Sequence, residues 1–166
     1  MKRRLTMAAA VLLFTGGLAA TVSPAQALSY DGSDPAAMNC DDTASRKKSN
    51  VLLDEVSGRQ LASLYLVYST GCNTAWSRLY TWRNCGFNPG IEWPQDGCGT
   101  AYVNRTTDGR EYKCEIPDGD TGCWTPQLYD GAGYLAYADA FVVTGAFQGS
   151  NGLYYDSHRY FKTDSF

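Results

Sequence analysis

Histidine is nearly absent from this chain of 166 residues, which has a single one, His158. A zinc site gathers four ligands on one ion, normally as close cysteine pairs or interleaved histidines. The sequence has no Cys-x-x-Cys pair and no histidine among its cysteines. A nucleophilic triad needs a base that shuttles a proton near neutral pH, usually histidine. His158 falls in Tyr154-Tyr155-Asp156-Ser157-His158-Arg159-Tyr160. Consecutive strand residues point to opposite faces, so Ser157 and His158 would not converge, which argues against a serine hydrolase. A basic stripe is missing as well. The one basic run, Arg46-Lys47-Lys48, is followed by Ser49 and Asn50 and reads as a solvated loop, so nucleic acid is not an expected partner. There is no internal repeat and no low-complexity tract.

What is present begins with a leader. Lys2, Arg3 and Arg4 precede an apolar run from Leu5 through Ala20 that is interrupted by Thr6, Thr15, Gly16 and Gly17. That run is short for a bilayer span, which takes about 20 apolar residues. Ala25-Gln26-Ala27 after Pro24 has the small-x-small pattern that signal peptidase cleaves. Residues 1–27 are therefore expected to be a signal peptide, and residues 28–166 one secreted domain of a size that holds its own core. The leader holds three of the fourteen basic residues and none of the seventeen acidic ones, so the mature balance is −6. No later segment approaches membrane-spanning length.

Cysteine usage points to the same compartment. Cys40, Cys72, Cys85, Cys98, Cys114 and Cys123 form an even set within the mature part, and an oxidising environment favours disulfides. Six cysteines allow 15 pairings. The preferred one joins Cys40 to Cys72, Cys85 to Cys98 and Cys114 to Cys123, the last two being local pairs across turn-rich segments.

From Val51 onward, β-branched and aromatic residues alternate with turn signals about every 10 residues, the spacing of a sandwich or barrel. Strands are expected near 51–57, 61–69, 74–83, 100–105, 110–116, 125–129, 133–144 and 152–161, with 29–50 as an extended arm carrying one short helical turn. Thr107-Asp108-Gly109-Arg110 reads as a type I′ hairpin turn. The alanines between Tyr134 and Ala140 would also suit a helix. The expected fold is all-β: a small, disulfide-stapled antiparallel sandwich or partly closed barrel with an extended N-terminal arm.

Tyr30-Asp31-Gly32-Ser33-Asp34-Pro35, then Cys40, then Leu64-Tyr65-Leu66-Val67-Tyr68-Ser69 followed by Cys72 and Trp76, resembles the YjfA-like secreted domain of unknown function, a Gram-positive bacterial family. Tyr112-Lys113-Cys114 and Cys123-Trp124-Thr125-Pro126 are similar to the second cysteine pair of its longer members. The resemblance implies two of the disulfides, and makes Cys85 with Cys98 an addition within the insertion from Asn84 to Gly99. It implies no reaction, ligand or cofactor.

Function must then be sought in residue types. Paired carboxylates could hydrolyse a glycosidic bond, but the four glutamates, Glu55, Glu92, Glu111 and Glu115, sit in no motif for it. A small hydrolase or toxin-like effector using carboxylates is one alternative, and would place an acidic pair with raised pKa in one cleft. Asp118 and Asp120 in Asp118-Gly119-Asp120-Thr121-Gly122, and the Asp31-Gly32-Ser33-Asp34 turn, offer oxygens of the kind calcium takes. Neither completes an EF-hand loop, turn chemistry accounts for both, and no metal or cofactor is expected. A protease inhibitor presenting the loop Asn84 to Gly99 is another alternative. The aromatics are the stronger signal, since exposed rings present large rigid contact area at low entropic cost. Trp93 in the insertion, and Tyr80 with Trp82 on one strand face, are the expected ligand contacts. Trp76 is expected to pack over a disulfide in the core. The preferred reading is a secreted, non-enzymatic binding module for a cell-envelope glycan or an extracellular protein.

Overall fold

Alternating apolar and polar residues bury one face of a strand and wet the other, and this chain realises that pattern in two antiparallel sheets. The computed structural model describes residues 28–86, 98–131, 133–148 and 154–166. The leader and Trp93 lie outside those residues, as does most of the insertion. The first sheet runs in the order β1 (Ala44–Leu53), β2 (Gln60–Ser69), β3 (Thr74–Thr81), β6 (Gly122–Trp124), with the short β7 (Leu128–Tyr129) also paired to β3. The second runs β5 (Glu111–Glu115), β4 (Gly99–Arg105), β8 (Ala136–Gln148), β9 (Tyr154–Lys162). Two single turns of 3-10 helix, Leu28–Tyr30 and Asp41–Thr43, belong to the arm, and no α-helix occurs among the described residues.

The sheets pack face to face as an open sandwich. Leu64, Leu66 and Leu79 of the first meet Val103, Ala138, Ala140 and Val142 of the second in one buried cluster. β8 explains why Tyr134 to Ala140 is not helical. Ala136, Ala138 and Ala140 are all fully buried and alternate with Tyr137, Asp139 and Phe141, a period of two that fits a pleat.

Three expectations are corrected. The basic run is not a loop, because β1 begins at Ala44 and Arg46, Lys47 and Lys48 lie within it. β1 is an edge strand, where long cationic side chains protect an open hydrogen-bonding rim. The strand expected at 125–129 shrinks to the two residues of β7, and a short strand that was not expected, β6, precedes it. Between them the Thr125 hydroxyl oxygen accepts the Ser77 amide at 3.0 Å, and Pro126 has no amide to donate. The 107–110 turn is not type I′, which needs positive φ at both central residues. Gly109 has φ +70° while Asp108 is not in the left-handed region, and the Asp108 carboxylate instead grips Arg105.

The disulfides are Cys40–Cys72, Cys85–Cys98 and Cys114–Cys123, the three expected pairs. Cys40–Cys72 ties the arm to the β2–β3 turn. Cys85–Cys98 closes the insertion where the chain passes between sheets, and Cys114–Cys123 joins edge strand β5 of one sheet to edge strand β6 of the other. At the opposite edges β1 and β9 do not pair. They are linked by an Arg159 to Glu55 ion pair of 2.6 Å and by Asn50 Nδ2 donating to Lys162 O at 2.8 Å.

The residues that carry the family resemblance form the scaffold. Asp31 and Arg105 are both buried and paired at 3.0 Å. Asp31 also accepts the Tyr129 amide at 2.6 Å and a bond from Arg110 at 3.1 Å. Gly32 (φ +82°) donates to Gln127 O at 2.9 Å and lies so close to Tyr112 that an added Cβ would stand 2.9 Å from its hydroxyl. Ser69 accepts the Cys72 amide at 3.2 Å. Trp76 is fully buried, although alternation with Ala75 and Leu79 turns it away from the intersheet core. The arm, with Pro35 and Cys40 buried and its end pinned by Cys40–Cys72, closes over that end of the sheet.

Asp130 is buried, and its carboxylate makes no hydrogen bond of good geometry, the Ala136 amide standing only loosely against it. Burial pushes its carboxyl up to about 7; the Ala136 amide and the Arg105 charge only partly offset this. An unfolded chain releases that proton near the ordinary value of 3.8. The folded state therefore binds more protons across the interval, and its stability falls as pH rises from about 4 to about 7. Asp130→Asn is expected to raise the unfolding midpoint at pH 8 and leave it unchanged at pH 4. Thermal melts of both proteins across that range check this, and parallel curves would refute it.

Candidate functional site

The outward face of the second sheet carries the most organised surface among the described residues. β4 contributes Thr100, Tyr102 and Asn104, β8 contributes Tyr137, Asp139 and Phe141, and β9 contributes His158, Tyr160 and Lys162. Register sets Asp139 between Tyr102 and Lys162, and Phe141 between Thr100 and Tyr160. Three rings touch in sequence: Tyr102 to Phe141 edge-to-face at 6.4 Å, and Phe141 to Tyr160 tilted at 5.0 Å. Phe141 and Tyr160 are 45% and 51% exposed, although each contributes a large apolar area that would normally be buried.

Asp139 organises the polar part of this face. One carboxylate oxygen accepts the Asn104 amide at 3.2 Å, the other the Tyr160 hydroxyl at 2.9 Å. Partial burial, followed by the bond to Asp139, pushes the Tyr160 phenol up to about 12, so it remains a hydrogen-bond donor at physiological pH. A planar aromatic strip beside a fixed carboxylate suits a ligand with an apolar face and a hydroxylated rim. The sequence signal for it was available. In Ala136-Tyr137-Ala138-Asp139-Ala140-Phe141 the small residues are the buried set, which leaves Tyr137, Asp139 and Phe141 outward.

The strip runs into a cavity of about 470 Å³ lined by Tyr102, Phe141, Glu115, Asp118, His158 and the Cys85–Cys98 disulfide. Two carboxylates, Glu115 and Asp118, line it. Glu115 is ion-paired to Lys113 at 2.8 Å, and that contact holds its carboxyl below the ordinary range. Asp130, whose pKa is raised, does not line this cavity. Asp118 lies near Cys85 and Cys98 in the one metal-compatible cluster found among the described residues, but disulfide sulfurs are not thiolate ligands. In the Asp118–Asp120 turn, the Asp120 carbonyl is engaged by the Cys85 amide at 2.7 Å and the Gly119 carbonyl by Asn84 at 2.7 Å. In the other turn considered for calcium, Asp31 is occupied by two arginines.

Tyr80 and Trp82 stand on the other side of the molecule, on the outward face of the first sheet. Tyr80 is 41% exposed. Trp82 is half-buried, with the Arg59 guanidinium 3.7 Å and the Arg83 guanidinium 3.9 Å from its ring centroid. Two cations at that range must lie on opposite ring faces.

Fold and crosslinks together define a small disulfide-stapled β-sandwich with an aromatic platform on one outer face. The chain belongs to the family described as a protein of unknown function, DUF2690, which matches residues 28–144. It is similar to the uncharacterized protein YjfA of Bacillus subtilis (strain 168), with 29% identity over 137 residues that cover 78% of this chain and 80% of that protein. No solved structure matches the chain.

Proposed function

We propose that this domain is exported, released from its leader after Ala27, and acts outside the cell as a non-enzymatic module that binds glycan of the cell envelope. The observation that carries this reading is the contiguous strip Tyr102–Phe141–Tyr160 with Asp139 fixed beside it. Sugar rings present an apolar C–H face that stacks on such a strip and hydroxyls that a carboxylate can bind. Three disulfides support an oxidising compartment. The family match beginning at residue 28 agrees with a leader of 27 residues.

Oxidised protein of residues 28–166 is to be tested against peptidoglycan and soluble envelope polysaccharides, with product analysis on whatever is captured. Capture without turnover supports the reading, and consumption of the glycan overturns it. Phe141→Ala and Tyr160→Ala are each expected to weaken capture about 10- to 100-fold, the range of an aromatic contact at the centre of an interface. The unfolding midpoint should stay near that of the parent, because both side chains lie outside the core. Binding that survives both substitutions would move the site elsewhere.

A further inference from the structure

We propose that the outward face of the first sheet is a second docking surface, and that its partner is a linear phosphodiester polymer of the cell surface. The basis is a charge asymmetry inside an acidic protein. Strands β1, β2, β3 and β6 contain no aspartate or glutamate, while β1 and β3 turn Arg46 and Arg78 to this face; Lys47, over the Tyr68 and Phe166 rings, and Lys48, paired with the core residue Leu66, lie on the other side of the sheet. Arg59 and Arg83 flank the same face through Trp82.

These arginines are positioned by aromatic rings. The Arg46 guanidinium stacks 4.2 Å from the Tyr65 centroid, and Tyr65 meets Tyr80 edge-on at 6.2 Å. Register places Arg78 between Tyr65 and the exposed Trp124. Among the described residues, Arg46, Arg59 and Arg78 have no carboxylate within ion-pair distance, and Arg78 Nε is buried without a partner. A guanidinium stacked on a ring keeps its N–H edges in the ring plane and pointing outward, the fork that takes phosphate oxygens in pairs.

The extent of the face argues for a chain over a single ion. Arg46 pairs with Val67, and the Trp82 amide bonds Leu61 O. Val67 to Leu61 along β2 is about 20 Å at the rise of an extended strand. Cations and flat rings alternate along that length. Such a surface fits a polymer in which phosphates alternate with neutral polyol or sugar units that lie on the rings. Acidic peptides offer charge without those stacking units. Tyr80 then serves as the platform between the cationic positions, while Trp82, covered on both faces by Arg59 and Arg83, holds those two guanidinium groups in place.

The probe is synthetic poly(glycerol phosphate), measured by calorimetry at low salt against the full oxidised domain. Polyglutamate of equal charge, a neutral glucan and anionic phospholipid vesicles are run beside it. Binding of the phosphodiester chain in preference to the other three is expected, weakening steeply with added salt. Arg46→Gln combined with Arg78→Gln should reduce it about tenfold or more. Arg78→Lys, which keeps charge but loses the fork, should recover only part of the loss. No binding at low salt, equal or tighter binding of polyglutamate or vesicles, or indifference to the arginine variants would each overturn the proposal. Retention of neutral envelope glycan by the same variants separates this surface from the Tyr102–Phe141–Tyr160 strip.

Discussion

Reduction of the three disulfides is expected to unfold the domain at 25 °C without denaturant. In the chain-entropy description, closing the Cys40–Cys72 loop with its separation of 32 residues contributes about 4 kcal/mol. The loops of separation 13 and 9 contribute about 3 kcal/mol each. Together these are of the same size as the whole stability of a typical domain, about 5–15 kcal/mol. The core gives little to set against the loss, since β8 fills it with alanines where larger side chains would bury more apolar area. Far-ultraviolet circular dichroism before and after reductant tests this, and a strand signal that persists through reduction would show that the sandwich stands without its crosslinks. Among single pairs, Cys114→Ser with Cys123→Ser removes the only disulfide joining sheet edges directly. It should lower the unfolding midpoint in the oxidised protein.

The second large effect is expected from Arg105→Ala. Arg105 lies at the inward end of β4, fully buried. It donates to both Asp108 oxygens at 2.9 and 2.6 Å, to Asp31 and to Tyr129 O, and its guanidinium sits 4.8 Å from the Tyr134 ring. Removing one partner of a buried pair costs about 3–5 kcal/mol, because the remaining charge is left without compensation. Here that charge is Asp31, whose side chain is 2% exposed and would keep only Arg110 and one amide. A fall of roughly 10–15 °C in the thermal midpoint follows from the usual scaling for a domain of this size. Asp108→Ala should cost far less, since Asp108 is 42% exposed and Asp31 still holds Arg105. If Arg105→Ala and Asp108→Ala proved equally mild, the arm would not depend on this network.

That network explains why the family's opening motif says nothing about chemistry. Tyr30 to Pro35 is spent on attaching the arm: Asp31 to the second sheet through Arg105, Gly32 and Ser33 to Gln127, and Asp34 to the amides of Ala36 and Ala37. A motif made of scaffold residues identifies the family without indicating a ligand.

The sequence by itself determined what depends on local pattern. The period-two alternation with turn residues produced strands, and the two disulfides whose cysteines lie 13 and 9 positions apart follow from local spacing, whereas Cys40–Cys72 spans 32 positions. Charge counting failed for the first sheet, because a net value averages over faces that only pairing separates. Arg46 and Arg78 lie 32 positions apart in sequence. They share a face because β2 pairs with both of their strands and alternation turns Tyr65 outward between them. The aromatic strip has the same origin. Tyr102, Phe141 and Tyr160 come from three strands, and only the registers of β4 with β8 and β8 with β9 bring their rings into contact. Strand propensity acts over a few residues, whereas a binding face is a property of which strands lie side by side. That choice is made by burial of the small and branched side chains on the opposite face.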